Sequence, residues 1–116
     1  MGEMSLAIQK ADFFKHDYAI RFAWYVDEAG PDVARRFQVT LDQSLNKLAS
    51  HPDLGRIRHF RNPRLQGLRS LPVERPFNKV LVFHHASSGV LHAVGLIHGA
   101  RDLPRRLLES PDSGSD

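Results

Sequence analysis

The sequence predicts an α+β fold: a small, antiparallel-dominated sheet, built from an N-terminal strand and a three-stranded C-terminal meander, with a helical hairpin packed on it and a short C-terminal helix. Three observations predict it. Between Asp12 and Leu48 apolar residues recur at spacings of three and four, the period of helices lying on a core. From Leu65 onward the pattern becomes short apolar runs punctuated by Gly, Pro and Ser, the signature of strands and turns. Two of those runs, Val80–Phe83 and Val90–Ile97, flank Ala86-Ser87-Ser88-Gly89, small residues of the kind a tight reversal requires. Two helices followed by a run of strands place the helices on one face of a sheet.

Taken in order, Ser5–Lys10 alternates the apolar Leu6 and Ile8 with small or polar neighbours, as a short edge or pairing strand does. From Asp12, Phe14, Tyr18, Phe22, Tyr25, Val26 and Ala29 fall along one helical stripe. Gly30 ends that helix, and Pro31 pre-sets the first turn of the next, whose stripe is Val33, Phe37, Leu41, Leu45 and Leu48. Helices joined this tightly run antiparallel. His51-Pro52 closes the second helix and Asp53-Leu54-Gly55 makes a turn. Arg56–Phe60 is then either a long basic loop or a short strand with a frayed end, broken at Arg61-Asn62-Pro63-Arg64. Leu65–Val73 is a strand with Arg69, Leu71 and Val73 on one face, kept from the sheet centre by Pro72, which has no N–H to donate. Glu74-Arg75-Pro76 turns into the hairpin. Its strands are apolar on both alternations, with Leu81 and Phe83 opposite Val80 and Val82, so they belong at the centre and are covered on both sides. Gly99 releases the last strand, Asp102 caps, and Pro104 opens a short helix to Leu108. Residues 110–116 are acidic and lack apolar side chains, a disordered tail behind a single domain of residues 1–109.

The first helix carries an apolar surplus. Phe13, Ile20 and Trp24 are spaced by seven and four, nearly opposite the Phe14/Tyr18/Phe22 stripe. Either this second side lies under the hairpin partner or the C-terminal helix, or it is an interface for another chain, as exposed aromatic patches rimmed by polar residues are.

Composition narrows the function classes. At 116 residues the chain buries a core of its own, and zero cysteines remove thiol catalysis, Cys-based zinc sites and disulfides. No apolar run approaches the roughly 20 residues of a membrane span, and there is no signal-peptide pattern, so a cytoplasmic protein is expected. Met1-Gly2 is not a myristoylation start, because Leu6 stands where Ser or Thr is needed. Neither Gly-x-Ser-x-Gly nor a phosphate loop is present, which leaves nucleophilic catalysis and nucleotide hydrolysis without a motif.

Charge is uneven. Residues 1–50 hold six Lys/Arg against seven Asp/Glu, and residues 51–116 ten against six. Between Arg56 and Lys79 the bases Arg56, Arg58, Arg61, Arg64, Arg69, Arg75 and Lys79 meet one acid, Glu74. Such a field either attracts phosphate or an acidic protein surface, or is a solvated face. Four histidines, His84, His85, His92 and His98, lie in or beside the hairpin. One register sets His84 opposite His92, but with no carboxylate at ligand spacing no metal is expected. RNA cleavage through a 2′-hydroxyl needs a base, an acid and cations for the phosphorane. His84 or His85 with Arg69, Arg75, Lys79 and Arg101 contains those groups.

Gly67-Leu68-Arg69, Leu71-Pro72-Val73, Val80-Leu81-Val82-Phe83 and above all His98-Gly99-Ala100-Arg101-Asp102-Leu103-Pro104 resemble the RelE/ParE toxin superfamily, closer to its ParE branch. With the helical hairpin the likeness spans nearly the whole chain. It implies the toxin of a type II toxin-antitoxin pair that inhibits DNA gyrase without chemistry or cofactor of its own. It also implies a hetero-oligomer with a cognate antitoxin, which would take Phe13, Ile20 and Trp24, while Arg56, Arg58, Arg61, Arg69, Arg75 and Lys79 are candidates for target or phosphate contact. The alternative within the superfamily is a RelE-like, ribosome-dependent mRNA endoribonuclease, with Arg69, Arg75, Lys79, His84 and Arg101 as its set. A third is a relative that only binds an antitoxin or RNA. His84 stands where these sequences often carry a tyrosine, and Arg105-Arg106-Leu107-Leu108 replaces a catalytic C-terminal Tyr or His. Arg101-Asp102 also reads as an ion pair or helix cap.

Overall fold

A computed structural model describes residues 5–59 and 66–99 of the chain. Within them run β1 (Ala7–Lys10), α1 (Asp12–Ala29), α2 (Pro31–Ser50), β2 (Arg56–Ile57), β3 (Arg69–Pro72), β4 (Val80–Ser87) and β5 (Val90–His98). The strands form one sheet in the order β1-β5-β4-β3-β2, with β1 parallel to β5 and the other pairs antiparallel. This is the expected α+β arrangement, with two helices on a mixed sheet. The basic stretch after Gly55 resolves into the two-residue edge strand β2. The C-terminal helix, residues 61–64 and the tail lie outside the described residues.

α2 forms because its apolar positions repeat on one side and Pro31 starts it. Ala34, Phe37, Leu41, Leu45 and Leu48 are all buried, each aliphatic or aromatic side chain contributing about 1.5–3 kcal/mol when removed from water. α1 meets it through aromatic contacts: the Tyr25 ring lies 4.9 Å from Phe37 and 5.3 Å from Phe77. Between the helices the Gly30 N–H donates to the Tyr25 and Val26 carbonyls, both at 3.0 Å.

The hairpin is longer and tighter than the sequence suggests. β4 runs to Ser87, so the reversal needs only Ser88 and Gly89, whose φ angles of 52° and 78° are the paired positive values of a type I′ turn. Consequently His84 and His85 are strand residues. β4 is the central strand, covered on both sides. Val80 and Val82 join the helix-side core with Leu91, Ala93 and Leu96, whereas Phe83, Leu68 and Ile97 form a second cluster, against which Leu81 and Val94 pack. Pro72 fits β3 because Val73 N–H bonds to Val80 O across the β4 side. By alternation Pro72 turns its missing donor away, where β2 has already ended.

A register shift between Phe83 and His84 interrupts the β4–β5 ladder, with Phe83 opposite Gly95 and His84 opposite Ala93. Beside it the buried Asp17 of α1 accepts the Leu96 N–H through Oδ2 at 3.2 Å. A Cβ on Gly95 would stand 3.3 Å from the same oxygen. The bulge therefore docks α1 onto β5 through a polar contact inside an otherwise apolar interface.

Candidate functional site

Two places bring arginine and histidine together, at opposite ends of the central strands. The first is the corner where α2 passes into β2. Cross-strand pairing sets Arg69 of β3 beside His84 of β4, and the Arg69 guanidinium donates to the carbonyls of Asp53 and Gly55 at 2.9 and 3.3 Å. Gly55 has a φ of 98°, and a Cβ there would lie 2.8 Å from the Ser70 carbonyl oxygen and 3.1 Å from His84 Nε2. Only glycine lets the loop close on the sheet this tightly. Alternation from Val80 and Val82 turns the His84 side chain to the helix side, where it is 0% exposed and neither ring nitrogen has a hydrogen-bond partner among the described residues. Burial, reinforced by the charges of Arg69 and His85, pushes its pKa down to about 4. The imidazole is neutral at pH 7 and closed to any external substrate.

On the opposite face of the sheet the Arg58 Nε–H donates to Ser70 Oγ at 2.7 Å. There His85 pairs with His92 in place of the His84–His92 pairing that one register allowed, the rings stacking at 4.7 Å. Burial, then His92, lowers the His85 pKa. Ser87 Oγ lies 3.3 Å from His92 Nε2.

The second place is a cleft of about 190 Å³ between α1 and the far end of β4 and β5, lined by Asp17, Ile20, Arg21, Val80, Leu96, Ile97 and His98. Arg21 lies 5.1 Å over the Trp24 ring, and Trp24 lies 6.3 Å from the His98 ring. Lys79 stands close by, its carbonyl accepting the Gly99 N–H at 2.8 Å. Burial lowers the His98 pKa, and the positive charges of Arg21 and Lys79 lower it further. Ile20 and Trp24 are 55% and 45% exposed, large apolar side chains that neither α2 nor the sheet covers, while Phe13 is half-buried.

This fold has relatives among known structures. The chromosomal ParDE toxin-antitoxin system of P. aeruginosa superposes with a TM-score of 0.66 at 15% identity, over 84% of this chain and 99% of that one. The toxin-antitoxin complex RelBE2 of Mycobacterium tuberculosis gives a TM-score of 0.54 at 10% identity, over 85% and 97%. No curated protein matches the sequence. A sequence model of the ParE toxin of the type II toxin-antitoxin system, parDE, matches residues 11–103. The chain belongs to the ParE toxin family.

In this ParE-family toxin the basic residues singled out from sequence do not form one patch. Arg69 is engaged with loop carbonyls and Arg58 with Ser70, while Arg56 is exposed beside them. Arg75 and Lys79 are exposed in the β3–β4 connection, before β4 begins at Val80, whereas His84 lies four residues into that strand, about 13 Å beyond its start. Of the residues considered for RNA cleavage only Arg69 and His84 are brought together, and Arg61 and Arg101 lie outside the described residues. Sequence reading missed Arg21 and Asp17. Arg21 stands beside Ile20 in the sequence with nothing to mark it, and the signal for Asp17 is a lone acid on the apolar side of a helix, three residues before Ile20.

Proposed function

We infer that this ParE-family toxin arrests bacterial growth by inhibiting DNA gyrase, performs no chemistry of its own, and is held inactive by a cognate antitoxin. The observation that carries the reading is the family match over residues 11–103. The site geometry agrees with it. An acid-base catalyst must reach its substrate with a titratable group near the working pH, and the histidine beside Arg69 is buried and neutral. Both structural neighbours come from toxin-antitoxin systems, which supports an antitoxin as the partner.

The test is to induce the chain alone in a bacterium and pulse-label DNA and protein synthesis over the first minutes. DNA synthesis is expected to fall first, and purified protein to block supercoiling by gyrase. A first fall in protein synthesis, with supercoiling untouched, overturns the reading.

A further inference from the structure

We propose that the paired imidazoles of His85 and His92, on the sheet face turned away from the helices, form a reversible two-histidine site for a divalent transition-metal cation of the copper and zinc kind. The site stands independently of the toxin reading above.

The first observation is register. His85 of β4 and His92 of β5 are direct cross-strand partners, and their rings stack at 4.7 Å with 18° between their planes. Cβ atoms at such positions lie about 4.5–5.5 Å apart. Two metal–nitrogen bonds of about 2.0–2.1 Å require nitrogens no more than about 4 Å apart. The rings are therefore within a side-chain rotation of sharing one cation, and both are only half-buried, which leaves that rotation room.

The second is a fixed frame. The tight turn at Ser88-Gly89 sets the strand register a few residues away, so the two imidazoles stand side by side before any ion arrives. Preorganisation of this kind lowers the cost of binding. The third is a hydroxyl beside the pair, with Ser87 Oγ 3.3 Å from His92 Nε2. If the hydroxyl accepts the Nε2–H, it fixes the tautomer whose Nδ1 lone pair is free for a metal. If Nε2 is itself the ligand, the hydroxyl is within reach of a metal-bound water.

The donor chemistry selects the ion. Imidazole suits copper, nickel and zinc in preference to calcium or magnesium, and Cu²⁺ heads the order of affinity. Burial, then His92, lowers the His85 pKa, so protons compete weakly for this ring at pH 7. Among the described residues no group of three or more His, Cys, Asp or Glu side chains is assembled for a metal, so water fills the remaining positions and the ion exchanges. With no cysteine in the chain, no thiol competes for the metal.

The probe is Cu²⁺ alone, titrated into the full-length protein at neutral pH. The cupric EPR spectrum, read as the difference between the wild type and a His85→Asn/His92→Asn double variant, should show coupling to two imidazole nitrogens. Each single substitution should weaken that binding at least about tenfold. His16→Asn and His51→Asn, at exposed histidines elsewhere, should leave it unchanged. Because the ion ties β4 to β5, saturating Cu²⁺ should raise the urea midpoint of the wild type more than that of the double variant. Coupling to one nitrogen only, equal binding by the double variant, or loss of binding on His16→Asn or His51→Asn identifies scattered surface histidines and overturns the proposal. A wild-type midpoint unmoved at saturation overturns it too, a result that requires no variant to fold.

Discussion

The α2–β2 corner and the α1–β5 cleft are made of the same residue types and do opposite things. At the corner an arginine and a histidine are consumed by the fold: Arg69 ties down the carbonyls of Asp53 and Gly55, and His84 is sealed beneath them. At the cleft an arginine and a histidine surround an opening whose apolar side chains meet solvent. The difference teaches that a basic residue near a histidine is no signature of chemistry. What separates the two places is whether a partner can reach the polar groups: Arg69 is spent on loop carbonyls and His84 is buried with neither ring nitrogen hydrogen-bonded among the described residues, whereas the cleft is open.

The largest expected break in this contrast comes from acid. The unfolded chain takes up a proton at His84 near pH 6.5, and the folded chain only near pH 4. Between those values the unfolded state binds more protons, so stability is fully present above about pH 6.5 and falls as the pH drops towards 4. The loss amounts to about 3 kcal/mol by pH 4, readable as the urea midpoint against pH. His85 and His98, also lowered by burial, act in the same direction. A His84→Phe variant should flatten most of the profile, and an unchanged profile would show that the corner does not exclude the proton.

Next, Gly55→Ala forces a Cβ against the Ser70 carbonyl at a positive φ, and should cost about 2–3 kcal/mol by urea unfolding. Gly30→Ala, which shares a φ of 98° but meets nothing within 4 Å, separates the backbone strain from the contact. Arg69→Met should destabilise by about 1–2 kcal/mol through the two lost carbonyl bonds. It should also soften the acid profile without abolishing it, because burial precedes Arg69 among the causes of the His84 shift. The smallest effect belongs to the cleft. Trp24→Ala should change stability by no more than about 0.5 kcal/mol, since a half-exposed side chain at an open site contributes little to the fold. A loss comparable to that of Gly55→Ala would make Trp24 a core residue and erase the contrast.

Some of this was legible in residue patterns alone. The stripe Phe37, Leu41, Leu45, Leu48 and the Gly30-Pro31 break encode an amphipathic helical hairpin through near-neighbour spacing, which survives into the structure because each helix needs only one apolar side. Trp24 and Ile20 stood out because they were surplus to that need. The corner was less legible. Arg69 and His84 were each noticed as candidates for external chemistry, yet the carbonyl bonds of Arg69 and the burial of His84 depend on the Asp53–Gly55 turn, which closes over them from residues well before either in sequence.

By itself, then, the sequence determined the order and type of the elements, the apolar faces of α2 and of the β4–β5 hairpin, and the apolar surplus on the second side of α1. These are local properties, set by spacings of two, three and four residues. The tertiary structure decided which strands became neighbours, with β1 parallel to β5, and which histidine faced which. A register shift at Phe83/His84 pairs His85 with His92 and leaves His84 opposite Ala93. It also decided that Arg21 and His98, from α1 and β5, line one cleft. Register and convergence arise from pairing between distant segments, where a one-residue displacement exchanges the two faces of a strand, and that information resides in the assembled sheet.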